Sequence, residues 1–204
     1  MREILDRWLY RHPFEGASAR RYARDERPAF GDLDERLIAR WARELAGARR
    51  FLDCGAGPGT FAARLASAHP HLSIVRAEPS RALATRGAVR AIAEALPFDR
   101  GAFDLALCLS SIRHVRDRAR SLAELRRVAR VLWIVELDPS ADAARCANHA
   151  AHLGSFFLRA AFRPLVVRTA PACDEIASLA RGAGWITDEP IADPIQPVYL
   201  LRCS

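Results

Sequence analysis

Residues 51–60 read Phe-Leu-Asp-Cys-Gly-Ala-Gly-Pro-Gly-Thr, an apolar strand that ends in an acid and enters a turn with glycine at every second position. Alternate glycines permit a tight turn and leave no side chain between the backbone and a ligand. A helix following such a turn directs its free N–H groups at whatever lies there. A dinucleotide fingerprint spaces its glycines G-x-G-x-x-G so that a pyrophosphate rests on the helix end. Here the spacing is G-x-G-x-G, with Asp53 two residues ahead of Gly55. An acid there disfavours a phosphate and favours an ammonium group.

From residue 48 onward strands and helices alternate, the pattern of a parallel sheet with crossover helices. Expected strands lie at 51–52, 72–77, 89–91, 103–109 and 131–137, with helices at 61–68 and 117–129 between them. A last helix over 171–181 ends at Gly182 and Gly184, and two closing strands follow near 185–186 and 198–201. The gap between those two is too short for a crossover helix, so they should pair antiparallel. The expectation is one α/β domain over 1–204, a doubly wound, mostly parallel seven-stranded sheet with its last strand antiparallel. Residues 1–47 form a helical cap, 48–138 a ligand-binding core, 139–170 an insertion over the site, and 171–204 the closing helix and strands. In the cap, Leu33, Leu37, Ile38, Trp41 and Leu45 make an apolar stripe at helical spacing, and Asp32 and Glu35 have capping-box spacing at its start. Trp8, Trp41 and Trp185 read as core.

In such a sheet a ligand sits beyond the C-terminal strand ends, where strand order reverses. The first strand brings the glycine turn there. The second brings Glu78, whose two oxygens can accept both hydroxyls of a ribose.

The glycine turn resembles the nucleoside-binding loop of class I S-adenosylmethionine-dependent methyltransferases. Glu78-x-Ser80 resembles the acid-x-serine of that family's second strand, and 93–98 (Ala-Glu-Ala-Leu-Pro-Phe) its loop over the adenine. Phe103-Asp104-Leu105 resembles its strand-four signature, and 110–114 (Ser-Ser-Ile-Arg-His) the segment that follows. The order and spacing of these motifs cover about residues 48–138.

The resemblance implies S-adenosylmethionine as cofactor, S-adenosylhomocysteine as product, and methyl transfer to a small molecule at oxygen, nitrogen or carbon. It places Asp53, Gly55, Ala56 and Gly57 beside the methionine portion, with Gly59 opening the helix. It places Glu78 and Pro79 at the ribose, Ala93, Glu94 and Leu96 or Phe98 at the adenine, and the carbonyls around Cys108 and Leu109 near the methionine amino group. Tyr22 is the candidate aromatic that folds over the cofactor, and His114 the candidate general base, since imidazole titrates near neutrality. The family commonly has an acid where this chain has Ile92, leaving Glu94 or the backbone to meet the adenine.

Composition narrows the partners. The net charge is +7, but every basic side chain is arginine and the arginines run the length of the chain. Nucleic-acid binders gather charge on one face, so the seven arginines between 113 and 130 read as the wet face of a helix whose buried stripe is Leu122, Leu125 and Val128. An RNA or protein methyltransferase, a nicotinamide oxidoreductase and a non-catalytic cofactor binder stand as alternatives. No apolar stretch approaches a membrane span, since Arg159 and Arg163 interrupt 156–167. The segment from Met1 to Trp8 lacks a leader's apolar core. A cytoplasmic protein without a membrane or nucleic-acid partner is expected, and its oligomeric state has no signature here. Five scattered cysteines form no C-x-x-C pair and read as reduced core thiols. His149 and His152 at i, i+3 lack a third ligand nearby, so no metal is expected and an exposed helix face is the simpler reading.

Overall fold

The computed structural model describes residues 16, 19–20, 30–84, 87–154 and 156–204. Helices α1 (Leu33–Arg40) and α2 (Ala42–Gly47) carry the apolar stripe of the cap, and Leu33, Leu37, Ile38, Trp41 and Leu45 are all buried. The capping box does not form. Asp32 precedes α1 but accepts from the Arg36 side chain at 2.9 Å, while Glu35 meets Arg64.

Next come β1 (Arg50–Cys54), α3 (Thr60–Ala68), β2 (Ser73–Ala77), β3 (Phe103–Leu109), α4 (Arg118–Val128) and β4 (Ala129–Leu137). Then follow α5 (Ala143–Ala151), α6 (Phe156–Ala161), a π-helical turn (Phe162–Val167), α7 (Cys173–Gly182), β5 (Ile191–Ala192) and β6 (Val198–Cys203). The sheet order is β2-β1-β3-β4-β6-β5, parallel from β2 to β4 and antiparallel where β6 joins β4 and β5 joins β6. Strand order reverses at β1, so the C-terminal ends of β1, β2 and β3 border a crevice.

The two faces of the sheet bury separate cores. Phe51, Trp133 and Val135 pack under α1, α2 and α3, with Trp41 stacked on Trp133 at 4.0 Å between centroids. Leu52, Ala106 and Ile134 pack under α4 and α7, where the Trp185 indole N–H donates to the Leu122 carbonyl.

Three expectations are corrected. Six strands are present among the described residues, not seven. The segment at 89–91 reaches the sheet only through one parallel bridge, Ala77 to Val89, because Gly87 (φ +87°) precedes it and a turn begins at Ile92. The closing hairpin also lies further along than 185–186. Trp185 is drawn into the core, Thr187 makes a single bridge to Cys203, and Pro190, which has no N–H to donate, separates that bridge from β5. Lastly, 139–170 packs through Cys146, Phe162 and Val167 into the core with α1. No described residue of that segment or of 1–47 lines the crevice.

Candidate functional site

A cavity of about 530 Å³ opens at the C-terminal ends of β1, β2 and β3. That is ample for a nucleoside-sized ligand. Its floor and one wall are the glycine turn. Gly55 and Ala56 donate their N–H groups to the Ala77 carbonyl at 2.8 and 3.2 Å, which pins the turn to the end of β2. Gly55 has φ +76°, and a Cβ there would stand 2.4 Å from the Cβ of Ser111. Only glycine fits: the conformation is left-handed and the space is already filled. The Ser111 hydroxyl in turn donates to the Cys54 carbonyl at 2.8 Å.

Glu78 is buried at the end of β2. One carboxylate oxygen accepts from the Gly57 N–H at 2.8 Å and the other from the Ser80 N–H at 2.8 Å. With Glu94 also in the lining, the crevice carries two acids, with Arg116 as its one arginine among the described residues. Asp53 does not share that role. It is buried, does not line the cavity, and by strand alternation lies on the face of Phe51, toward α3.

The segment 91–94 forms a second wall. Ile92, half exposed, presents apolar surface where the family commonly has an acid. Glu94 accepts from the backbone N–H groups of Arg116 and Asp117 at 3.0 and 3.3 Å, so one of its oxygens is committed to the start of α4. Leu96 is buried behind this wall rather than in it. The Arg127 guanidinium donates to the carbonyls of Leu96 and Phe98, while Glu124 accepts from the Leu96 N–H.

The third wall descends from β3. Cys108 and Cys54, on neighbouring strands, line the cavity together. Hydrogen bonding to Cys108 and burial push the Cys54 thiol well above its usual range. Thiols kept protonated in this way are poor nucleophiles. Ser110 follows with φ +50°, a strained value for a residue that is not glycine, and its buried hydroxyl has no hydrogen-bond partner among the described residues. A 3₁₀ turn, Ile112–His114, then brings His114 and Arg116 to the rim.

Beneath that turn lies a buried ion pair. The Glu136 carboxylate, at the end of β4, accepts from the Arg113 N–H at 3.2 Å and lies 3.8 Å from its guanidinium. Both side chains are at most 4 % exposed. Burial raises the Glu136 carboxyl above the usual range, against the pull of Arg113. Arg113 also donates to the Val166 carbonyl at 2.7 Å, tying the π-helical turn to the rim of the cavity. The reading of Arg113 as one of seven wet arginines is thus corrected. His149 is likewise buried rather than on an exposed face. It is stacked on Phe162 at 4.5 Å, with its Nδ1 2.8 Å from Gln196 Oε1.

Of the residues singled out from the sequence, Gly55, Ala56, Gly57, Glu78, Pro79, Ala93, Glu94, Cys108, Leu109 and His114 line the one cavity. Asp53, Gly59 and Leu96 lie behind its walls. Tyr22 and Trp8 lie outside the described residues. Leu83, Val115 and Arg116 line it without having been singled out. Leu83 has no sequence signal, whereas Val115 and Arg116 continue a segment already assigned to the site. Among the described residues no group of His, Cys, Asp or Glu is arranged to hold a metal.

A family model described as a methyltransferase domain matches residues 52–132, which include all the parallel strand ends around the cavity. The ubiquinone/menaquinone biosynthesis C-methyltransferase UbiE of Citrifermentans bemidjiense is 34 % identical over 123 residues, 48 % of this chain and 52 % of that protein. The enzyme of the same name from a Geobacter species matches to the same extent. The matched stretch thus spans about half the length of these curated relatives. Among solved structures, a SAM-dependent methyltransferase of Thermotoga maritima shares the fold with TM-score 0.54 and 21 % identity, over 100 % of this chain and 99 % of that one. One from Aquifex aeolicus does so with TM-score 0.58 and 12 % identity, over 76 % and 81 %. Residues 52–132 thus match a methyltransferase domain, and in motif order, sheet topology and these matches together the chain is similar to class I, Rossmann-like S-adenosylmethionine-dependent methyltransferases.

Proposed function

We propose that the chain binds S-adenosylmethionine in this cavity and directs its methyl group to a small-molecule acceptor. The observation that carries the reading is the convergence of the glycine turn, Glu78 and segment 91–94 on one crevice at the strand-order reversal. The residues fit the cofactor. The backbone of Gly55, Ala56 and Gly57 lines the cavity, and the buried Ser110 hydroxyl has no hydrogen-bond partner among the described residues. Two acids suit a ligand whose reactive end is cationic.

Glu78 would hold the ribose hydroxyls, and Ile92 and Ala93 would flank the adenine through apolar and backbone contact. The turn at 55–57 would border the methionine portion. When bound, the cofactor supplies a sulfonium-activated methyl group, so the chain's own task is to align the acceptor and keep water out. His114 stands at the rim, where it can take a proton from an acceptor that must shed one. Arg116 beside it offers a positive charge to an anionic form of that acceptor. The C-methyltransferase relatives favour a carbon acceptor, an enolate or phenolate whose ring or α-carbon is nucleophilic.

The arginine surface gives little support to an RNA substrate. Arg113, Arg118, Arg127 and Arg130 pair with Glu136, Glu175, Glu124 and Asp104, and Arg126 lies over the Trp185 ring. Among the described residues no helix is long and apolar enough to cross a membrane.

Calorimetric titration with S-adenosylmethionine and S-adenosylhomocysteine tests the cofactor, and a panel of acceptors with labelled methyl donor tests the transfer. Glu78→Ala should weaken cofactor binding by about tenfold or more, the value of lost charge-assisted hydrogen bonds. Unchanged affinity in that variant would place the nucleoside elsewhere.

A further inference from the structure

We propose that residues 156–168 form a docking surface for an anionic lipid membrane. Helix α6 buries none of its side chains. Phe156 and Phe157 are 78 % and 82 % exposed with ring centroids 6.0 Å apart, and Leu158 and Leu165 are nearly half exposed. A contiguous apolar patch of this kind marks an interaction site rather than ordinary surface.

Charge identifies the partner. From residue 143 to residue 173 the chain has no acidic side chain. Arg159, Arg163 and Arg168 are exposed within the patch, and none of the three makes an ion pair among the described residues. Several arginines elsewhere are neutralised, as Arg36, Arg64, Arg118, Arg127 and Arg202 are by carboxylates, whereas the run from 143 to 173 offers none. Exposed phenylalanines beside uncompensated arginines match a surface that is hydrocarbon below and negative above. A segment of this length lies on a bilayer and does not cross it. The Val166 carbonyl holds the Arg113 guanidinium, and the next residue, His114, lines the cavity, so docking would set the cavity mouth beside the lipid. The proposal concerns where the chain sits and stands whether or not it transfers a methyl group.

The test is co-sedimentation of the purified protein with vesicles of phosphatidylcholine, with and without phosphatidylglycerol, at physiological and at high salt. Binding is expected only to the phosphatidylglycerol vesicles, and high salt should weaken it. Phe156→Ser with Phe157→Ser, and separately Arg163→Ser with Arg168→Ser, should each lower the bound-to-free ratio by about tenfold without changing the melting temperature. No binding to anionic vesicles, or equal binding by both variants and the unaltered chain, overturns the proposal. So does a self-association seen by sedimentation velocity that the phenylalanine variant abolishes, since the patch would then be covered by a second copy.

Discussion

At the glycine-turn end of the cavity, backbone N–H groups of Gly55, Ala56, Gly57 and Ser80 go to the Ala77 carbonyl and the Glu78 carboxylate. At the opposite end, the turn that carries His114 rests on the buried Arg113–Glu136 pair and on one bond to the Val166 carbonyl. The first end is built from contacts between neighbouring strand ends. The second depends on a charge pair drawn from residues 23 apart and on a segment packed from the other face of the sheet. The difference teaches a division of labour. The glycine-turn end is fixed by backbone geometry and tolerates little change in shape. The far end is fixed by a charge balance, and its stability hinges on both partners being present. The two ends meet at one contact, where Ser111 fills the space that the missing side chain of Gly55 leaves.

Removing one partner of the buried pair probes the far end most severely. Glu136→Ala removes the carboxylate that faces the buried Arg113 guanidinium and should cost about 3–5 kcal/mol, read as a lowered denaturant midpoint. If the two ends are held independently, the folded fraction should still bind S-adenosylmethionine within a few-fold while turnover falls. Cofactor affinity that drops as far as it does in Glu78→Ala would show that the ends act as one unit. Gly55→Ala reverses the pattern. The left-handed backbone and the 2.4 Å approach to Ser111 should together cost about 3 kcal/mol. Here cofactor affinity should suffer first, because the turn must open to admit the methyl group. A Gly55→Ala protein of ordinary stability and ordinary affinity would mean that Ser111 retreats freely, and the shape-fixed half of the comparison would fail.

The same division explains what the sequence alone makes legible. The bounds of β3 can be read to the residue, and the glycine turn, Glu78 and the course of β4 with little error, because each follows from local pattern: apolar runs, alternating glycines, an acid at a strand end. The far end resists such reading. Nothing around Arg113 sets it apart from Arg116 or Arg118, and its burial is decided by Glu136 across the sheet. His149 has the same helical neighbourhood as His152, yet one is buried against Phe30 and Phe162 and the other is exposed. That 139–170 packs on the α1 face and does not line the cavity follows from Cys146, Phe162 and Val167. No periodicity records which face a helix will choose.

The wall at 91–98 combines both kinds of support, and its pH dependence separates them. Hydrogen bonds from the Arg127 guanidinium, with help from the Leu96 N–H, hold the Glu124 carboxyl below the usual range. A carboxyl depressed in the folded state stabilises it fully above the unfolded value, near pH 4.3, and loses that contribution as the pH falls through the lower folded value. Glu124→Gln keeps an acceptor for Leu96 but loses the charge that faces Arg127. The variant should therefore be less stable by about 1 kcal/mol at neutral pH, a modest figure because both side chains are partly exposed to solvent. The gap in melting temperature between the two proteins should hold steady from neutrality to about pH 5, then close in more acid solution. A gap unchanged down the whole acid range would mean that Arg127 holds Leu96 and Phe98 by position alone, which would move this wall to the shape-fixed side of the molecule.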